Sequence, residues 1–240
     1  MFIVAAIIIA GQLCGSRFVL WWITLILLIL FAVIIGHGFT GLWCGLLIDE
    51  RNKISLSRLQ MFLWTIVILS GYFAAAQSNL LADMPEPLSV AIPEELWILM
   101  GISVTSLIGS PLVKSTKKAK SANPDELKKT KSLLVTQGLT DDKTDSIGQI
   151  MVNVSPTDAR WSDMFKGEET GNGAHLDLAK VQMFYFTLIL VITYALQVGN
   201  ELADSAKQII EFPALDSSML ALLGISHAGY LTNKGIPHSK

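Results

Sequence analysis

The chain has 240 residues and a formal net charge of −2; 51% of its residues are hydrophobic and only 16% are charged. Soluble domains carry about 25% charged residues, and here the shortfall is concentrated in long stretches without Asp, Glu, Lys or Arg. This composition excludes an ordinary soluble domain and predicts an integral membrane protein. We expect the lipid bilayer as its surroundings and no nucleic-acid partner.

The N-terminal unit, residues 1–48, begins with nine consecutive apolar residues at 2–10. This run lacks the basic start of a signal peptide, and no clear cleavage site follows it. We predict a short first pass over 2–16 that forms a hairpin with a longer span at 18–36. In the alternative, this segment is cleaved or lies in the membrane interface, and the chain crosses the membrane five times.

The rest of the chain repeats one pattern twice. Residues 54–72 read ISLSRLQMFLWTIVILSGY, and residues 176–194 read LDLAKVQMFYFTLILVITY. At a constant offset of 122, six residues are identical, namely Leu56, Gln60, Met61, Phe62, Thr65 and Tyr72 in the first copy. A second block, LMGIS at 99–103, returns as LLGIS at 222–226. The chain therefore contains a tandem duplication of a unit with two apolar segments.

Each copy contributes two predicted spans: 59–77 and 96–112 in the first, 181–199 and 217–232 in the second. A helix of about 19 residues covers ~28 Å, close to the ~30 Å hydrocarbon core. We predict an all-α membrane protein with five to six transmembrane helices. Its two-helix repeats occupy 49–112 and 176–240, and a loop at 113–175 joins them.

Lys and Arg predict the orientation of the spans. Of the 18 basic residues, 16 fall in three regions that alternating passes place on one side: 49–58, 113–180 and the tail after 232. The two loops on the other side are acidic. The positive-inside rule makes the basic side, and with it the C-terminus, cytoplasmic. Both repeats then enter from the same side, so they are parallel and related by a pseudo-two-fold axis along the membrane normal.

The 113–175 loop starts with a run of basic residues: Lys114, Lys117, Lys118 and Lys120. Ser121, Asn123 and Pro124 break the segment after it, which predicts a mobile stretch near lipid head groups. We favour the interpretation that these lysines only set the orientation of the preceding span. The alternative is that they contact anionic lipid head groups.

Further along the loop, SPTDARWSDMFKG predicts a short amphipathic helix of about ten residues. Ser155 suits the N-cap and Pro156 the first helical position. Trp161, Met164 and Phe165 fall on one helical face. This helix would lie in the membrane interface or pack on the spans, with Trp161 as an interfacial anchor.

The candidate polar packing or pore positions include four residues of the repeated motif: Gln60, Thr65, Gln182 and Thr187. A Gln amide just inside a span must be hydrogen-bonded, because burying it unpaired costs free energy. In a parallel duplication, Gln60 and Gln182 face each other across the axis, or each caps a neighbouring helix. We favour a polar clamp between the two entry helices; the alternative is a polar vestibule of a pore.

The fifth candidate, His227, is the one ionisable residue well inside a predicted span, and the first copy has Val104 there. We interpret it as a helix–helix hydrogen-bonding residue. No Asp, Glu, Lys or Arg lies inside the clear spans, which argues against a proton-coupled pump. Arg58 and Lys180, at corresponding positions in the two copies, are predicted interfacial anchors.

No motif for a metal, a cofactor or catalysis is present in the sequence, so we expect no enzyme activity. Cys14 and Cys44 belong to no CxxC or Cys/His pattern. The favoured hypothesis is a non-enzymatic scaffold or subunit of a membrane assembly, oligomeric or joined to other membrane subunits. The alternative is a channel or membrane-permeabilising effector lined by the duplicated helices.

Three strings carry a resemblance to known proteins: SLSRLQMFLWT, ARWSDMFKGEETGN and LDLAKVQMFYFT. They resemble a functionally uncharacterised family of bacterial multi-pass integral membrane proteins with a duplicated LQMxx(W/F)T motif. The resemblance covers roughly residues 18–232 and implies bacterial origin and a multi-pass topology. We therefore expect the bacterial inner membrane as the location. It implies no activity, ligand or catalytic residue.

Overall fold

The computed structural model describes residues 2–204 and 208–239. Within these residues the chain forms seven α-helices and one two-stranded sheet. The helices are α1 (Phe2–Leu13), α2 (Arg17–Thr40), α3 (Leu56–Leu81), α4 (Glu94–Lys118), α5 (Pro124–Thr136), α6 (Leu178–Ala203) and α7 (Ser217–Gly235). The strands β1 (Thr144–Ile147) and β2 (Ile150–Asn153) pair antiparallel. The predicted all-α class is confirmed, with one small hairpin added to it.

Four helices are long and apolar enough to cross a membrane: α2, α3, α4 and α6. They indicate a multi-pass membrane protein. The predicted span at 217–232 coincides with α7, which is not among the four because polar residues such as His227 and Asn233 lower its mean hydropathy. The short helix α1 has 12 residues and extends only about 18 Å.

The helix bounds follow the sequence duplication. Both α3 and α6 have 26 residues, and they begin at Leu56 and Leu178, 122 positions apart. Their partners α4 and α7 begin at Glu94 and Ser217, 123 positions apart. In space α3 packs on α4 and α6, and α7 packs on the same two helices. The four helices therefore form a closed ring in which each helix contacts its counterpart from the other copy.

Large side chains fill the interior of this ring. Trp64 of α3 and Tyr194 of α6 are each 1% exposed, and their ring centroids lie 5.9 Å apart. On the outside, α2 packs against α3 and α6 through the buried Trp21. A Cβ on Gly199 would lie 2.9 Å from the Trp21 ring, so glycine is what permits this close approach.

We call the end of the ring where α3 and α6 begin, and where α4 and α7 end, the basic end. At the other end, the loops that follow α3 and α6 are hydrogen-bonded to each other. The amide of Ala91 donates to the carbonyl of Ile210 at 2.7 Å, and the amide of Phe212 donates back to Ala91 at 2.9 Å. The Asn79 side chain adds a bond to the carbonyl of Ile209 at 2.8 Å. These contacts join the two copies at the end distant from the basic lysines.

The segment between α4 and α6 is folded. Asn123 caps α5 by accepting from the amide of Asp125 at 3.0 Å, and Pro124 occupies the first helical turn. Leu134 of α5 packs in a small core with Met151 of β2. The prediction of a mobile basic segment missed this helix, because capping residues were interpreted only as helix breakers.

The predicted ten-residue amphipathic helix is wrong. The segment instead contains two 3₁₀ turns, Pro156–Asp158 and Trp161–Phe165. The Asn153 side chain donates to the carbonyl of Asp158 at 3.1 Å, and the Asp163 carboxylate accepts from the amide of Arg160 at 2.8 Å. These side-chain bonds occupy backbone groups that a continuous α-helix would need.

Candidate functional site

A group of charged side chains is buried at the basic end of the helix ring. The members come from parts of the chain that are distant in sequence, and each is at most 9% exposed. They are Asp49, Arg51, Lys53, Lys114, Lys117, Glu168, Glu169, Lys180 and Lys234. We call this group the charge cluster.

Glu168 lies at the centre of the charge cluster. Its carboxylate is 2.9 Å from Nζ of Lys180 and 2.8 Å from Nζ of Lys234. The same carboxylate is 3.4 Å from Arg51 and 3.9 Å from Lys114. One loop residue therefore forms ion pairs with α4, α6, α7 and the segment that precedes α3.

The backbone around Glu168 is held in place by the loop hairpin. The amide of Met151, in β2, donates to the carbonyl of Glu168 at 2.9 Å. The amide of Glu169 donates to the Asn172 side chain at 2.9 Å. Gly167 packs so tightly that a Cβ there would meet Asn172 at 2.3 Å. The short turn at 167–172 thus directs two consecutive carboxylates towards the helix ends.

The second carboxylate, Glu169, fastens α4 to the segment that follows α7. Lys117 donates to Glu169 at 2.6 Å and also to the carbonyls of Lys234 and Ile236 at 2.6 and 2.8 Å. The other oxygen of Glu169 accepts from the amide of His238 at 2.9 Å. Lys117 is therefore fully engaged inside the protein.

Asp49 and Arg51 form the third part of the charge cluster. The Arg51 guanidinium donates twice to one carboxylate oxygen of Asp49, at 2.9 and 2.7 Å. Burial opposes ionisation of Asp49, but Arg51 and Lys114 hold its pKa well below the usual range. Burial likewise opposes ionisation of Glu168, but Arg51, Lys180 and the other nearby cations hold its pKa well below the usual range.

The charge cluster contains six cations and three carboxylates, and one further buried carboxylate, Asp163, interacts with Lys53. Buried cations therefore outnumber buried carboxylates, and Lys53, which is 4% exposed, is affected by this imbalance. Burial lowers the pKa of Lys53 to about 8; the Asp163 carboxylate opposes this shift, and Arg51 and Lys180 reinforce it. Charged Lys53 therefore destabilises the folded state.

This imbalance predicts that Lys53→Met stabilises the protein. The folded-state pKa of about 8 lies below the ordinary value of 10.5, so the cost of burying the ammonium is present below pH 8 and is relieved as pH rises towards 10.5. We expect the variant to gain about 1 to 3 kcal/mol at pH 7. Its stability should also rise less between pH 8 and 10.5, in unfolding titrations of the detergent-solubilised protein. The exposed Lys120→Met is the control, and a Lys53→Met protein less stable than wild type at pH 7 would contradict the argument.

A second buried group lies inside the helix ring. Nε2 of Gln60 is 2.5 Å from Nε2 of His227, and Oγ of Ser106 is 2.5 Å from Nδ1 of His227. All three side chains are at most 3% exposed. Since the amide donates to Nε2, the imidazole fits the neutral form whose Nδ1–H donates to Ser106. We call these residues the polar triad; it joins α3, α4 and α7.

Polar side chains continue from the polar triad towards the charge cluster. Oγ of Ser110 lies 3.3 Å from Oη of Tyr230, one turn further along α4 and α7. Lys234 donates to Tyr230 at 2.8 Å and also to Ser110. The interface between α4 and α7 is therefore polar from Ser106 to the basic end.

The two motif glutamines occupy different environments. Gln60 is completely buried, whereas Gln182 is exposed, so the expected meeting of the two amides across the axis is not seen. Val104, the counterpart of His227, is 39% exposed and has no polar group to offer a glutamine. Only the second copy contains a histidine at this position, so only one of the two glutamines has an imidazole to bond.

The two motif threonines also differ. Oγ1 of Thr65 donates to the carbonyl of Met61 in its own helix at 2.8 Å. Thr187 is 2% exposed, and its hydroxyl has no hydrogen-bond partner within residues 2–204 and 208–239. Neither threonine belongs to the polar triad.

The predicted interfacial anchors have three separate roles. Arg58 donates to the carbonyl of Ile48 at 2.6 Å and thereby braces the turn that leads into α3. Lys180 is buried in the charge cluster, where it also donates to the carbonyl of Lys166 at 2.7 Å. Trp161 is 58% exposed and begins the second 3₁₀ turn.

In the basic run, Lys114 and Lys117 are buried in the charge cluster, Lys118 is half-buried and Lys120 is exposed. The charge cluster was not predicted from the sequence. One sequence feature could have indicated the cluster: Glu168 is an acidic residue in a string that carries the family resemblance. In the structure it pairs with basic residues at helix ends.

Within the described parts of the chain, no group of three His, Cys, Asp or Glu residues is placed to hold a metal ion. No family model matches the chain, and neither the curated proteins nor the solved structures include a significant match. The resemblance inferred from the sequence therefore stays a prediction.

Proposed function

We propose that the protein is a non-enzymatic, multi-pass membrane subunit that works by assembly and presents its folded 113–175 loop to partners in a fixed orientation. The observation that carries this proposal is the burial of Glu168 among cations from four other parts of the chain. A loop fastened in this way cannot swing relative to the helices.

Rigidity is what the ion pairs contribute. A buried ion pair adds little net stability, because desolvation offsets most of the attraction, but removing one partner is costly. The charge cluster therefore favours a single position of the loop over alternatives that would leave its carboxylates or lysines unpaired. A fixed platform suits a docking role.

The buried chemical groups also favour a structural role over a catalytic one. Ser106 and His227 form a pair that resembles a nucleophile with its base. They are at most 3% exposed inside the helix ring, where a substrate has no access. Most charged groups of the cluster likewise form ion pairs with each other.

The proposed topology has five to six passes built from two parallel two-helix repeats. The equal lengths of α3 and α6 and the offset of 122 between their starts support it. We place the basic end in the cytoplasm by the positive-inside rule and the protein in a bacterial inner membrane. We further propose that it forms a homo-oligomer or joins other membrane subunits.

Site-specific photocrosslinking in native membranes tests the assembly proposal. A benzophenone amino acid at Val154, 61% exposed on the loop, should capture a protein partner or a second copy. The same probe at Leu88, 67% exposed at the opposite end, is the control. The proposal would be contradicted if both probes yielded only the uncrosslinked monomer and no other protein co-purified.

A channel is the second candidate, favoured by the polar side chains that run from the polar triad to the charge cluster. Flux assays in liposomes separate it from a scaffold. For a channel we expect ion flux that Gln60→Leu abolishes, while Gln182→Leu, at an exposed position of the same motif, leaves it intact. Purified protein that moves no ion or small solute excludes this candidate.

A further inference from the structure

An open groove of about 380 Å³ lies at the basic end, between the start of α3, the second half of α4 and the segment that precedes α3. Its apolar walls include Met61, Leu107 and Pro111, and the hydroxyl-bearing Thr65 and Ser110 lie among them. Pro111 has no amide hydrogen for the carbonyl of Leu107, and its ring crowds that carbonyl, which disfavours close packing of α4 on α3 here. The groove runs along candidate membrane spans, so its apolar part lies at the depth of lipid chains.

The mouth of the groove is polar and contains a hydroxyl without a partner. Ser57 lines the groove and is 3% exposed, yet its Oγ makes no hydrogen bond to any residue that the structure describes. A buried hydroxyl left unpaired costs about 1 to 3 kcal/mol. Lys114 and Arg58 line the same mouth and have donors to offer besides their contacts within the protein. Together these groups suit a phosphate oxygen.

Carboxylates balance the cations at this mouth. Glu50 is 3.5 Å from Nζ of Lys114 and its side chain is 41% exposed, and Asp49 also lines the groove. A purely anionic head group would be repelled by these acids. A zwitterionic head group fits better, because its phosphate can meet Lys114 and Ser57 while its amine meets Glu50.

A second groove of about 460 Å³ lies beside the first, and both are lined by Leu46 and Phe62. Its walls are mainly apolar and include Val33 and Trp43. Two neighbouring grooves with apolar walls, which share Leu46 and Phe62, match a lipid with two acyl chains better than a single-chain amphiphile.

We propose that these paired grooves bind one glycerophospholipid with a zwitterionic, amine-bearing head group of the phosphatidylethanolamine class. The phosphate lies at Lys114, Arg58 and Ser57, and the amine lies at Glu50. The two acyl chains lie on either side of Phe62. This lipid site is independent of whether the protein works as a scaffold or a channel.

The test is native mass spectrometry of delipidated protein after incubation with an equimolar mixture of dioleoyl phosphatidylethanolamine, phosphatidylglycerol and phosphatidylcholine. Wild type should retain one phosphatidylethanolamine in preference to the others. Leu107→Trp fills the groove and should lower this retention at least fivefold. Ile108→Trp is the matched control, because Ile108 is the next residue of α4, is 58% exposed and does not line the groove.

A separate variant tests the assignment of the head group. Glu50→Gln removes the partner of the amine, so it should abolish the preference for phosphatidylethanolamine while total lipid retention stays within twofold. Equal or greater retention of phosphatidylglycerol by wild type would overturn the zwitterionic assignment. Equal lipid retention by Leu107→Trp and Ile108→Trp would overturn the site itself, and so would the absence of any retained lipid on wild type. A folded, monodisperse protein in every sample is established first by its thermal unfolding.

Discussion

Glu168→Gln is expected to lower the free energy of unfolding by about 3 to 5 kcal/mol. Glutamine keeps the size of the side chain but removes the one charge that Lys180 and Lys234 share at 2.9 and 2.8 Å. The charge cluster would then contain six buried cations and only two carboxylates. The measurement is an unfolding titration of the protein in mixed detergent micelles, followed by intrinsic tryptophan fluorescence.

The control for this variant is Glu86→Gln, in the exposed loop at the opposite end, which should change stability by less than about 0.5 kcal/mol. Acid provides a second readout. Because the pKa of Glu168 is held well below its usual range, its stabilising contribution is present above pH ~4.5 and is lost as pH falls further. The variant should therefore lose less stability than wild type on acidification. Equal stability of the two variants at pH 7 would show that Glu168 does not hold the cluster together.

His227→Val, which gives the second copy the residue of the first, is expected to destabilise the protein by about 2 to 4 kcal/mol. Loss of the imidazole leaves the amide of Gln60 and the hydroxyl of Ser106 buried without their partner. The exposed Ile225→Val, two residues earlier in α7, should be nearly neutral.

A double-mutant cycle separates lost hydrogen bonding from lost volume. If Gln60 and His227 interact, Gln60→Leu combined with His227→Val should cost at least about 1 kcal/mol less than the sum of the single variants. Additive effects would mean that Gln60 and His227 are not coupled in energy. They would contradict the interpretation of the polar triad as a hydrogen-bonded unit.

The helices of the ring could be predicted from the sequence, but their arrangement could not. The offsets of 122 and 123 match the starts of α3 and α6 and of α4 and α7. Corresponding residues nevertheless lie on different faces, since Gln60 is buried and Gln182 is exposed. The membrane character of α7 was harder to judge, since residues such as His227 lower its hydropathy although they point into the ring. Periodicity alone does not show where a polar side chain finds its partner.

Only part of the candidate site could be predicted from the sequence. His227 could be singled out as an ionisable residue in an apolar stretch, but its partners depend on how three helices cross. The charge cluster was missed because its pairs are distant in sequence; Glu168 and Lys234 are 66 positions apart. Basic residues at helix ends were therefore interpreted as orientation signals, and the carboxylates that neutralise them were not recognised.

The order of synthesis gives the central carboxylate a further consequence. The ribosome makes Glu168 after Arg51 and Lys114 but before Lys180 and Lys234. While translation continues, the loop meets only part of its set of cations, and its closest two partners are added last. We therefore expect the 113–175 loop to reach its final position only after α7 has formed, because Lys234 lies near the end of that helix. The ion pair between Glu168 and Lys234 would then couple folding of this loop to completion of the helices.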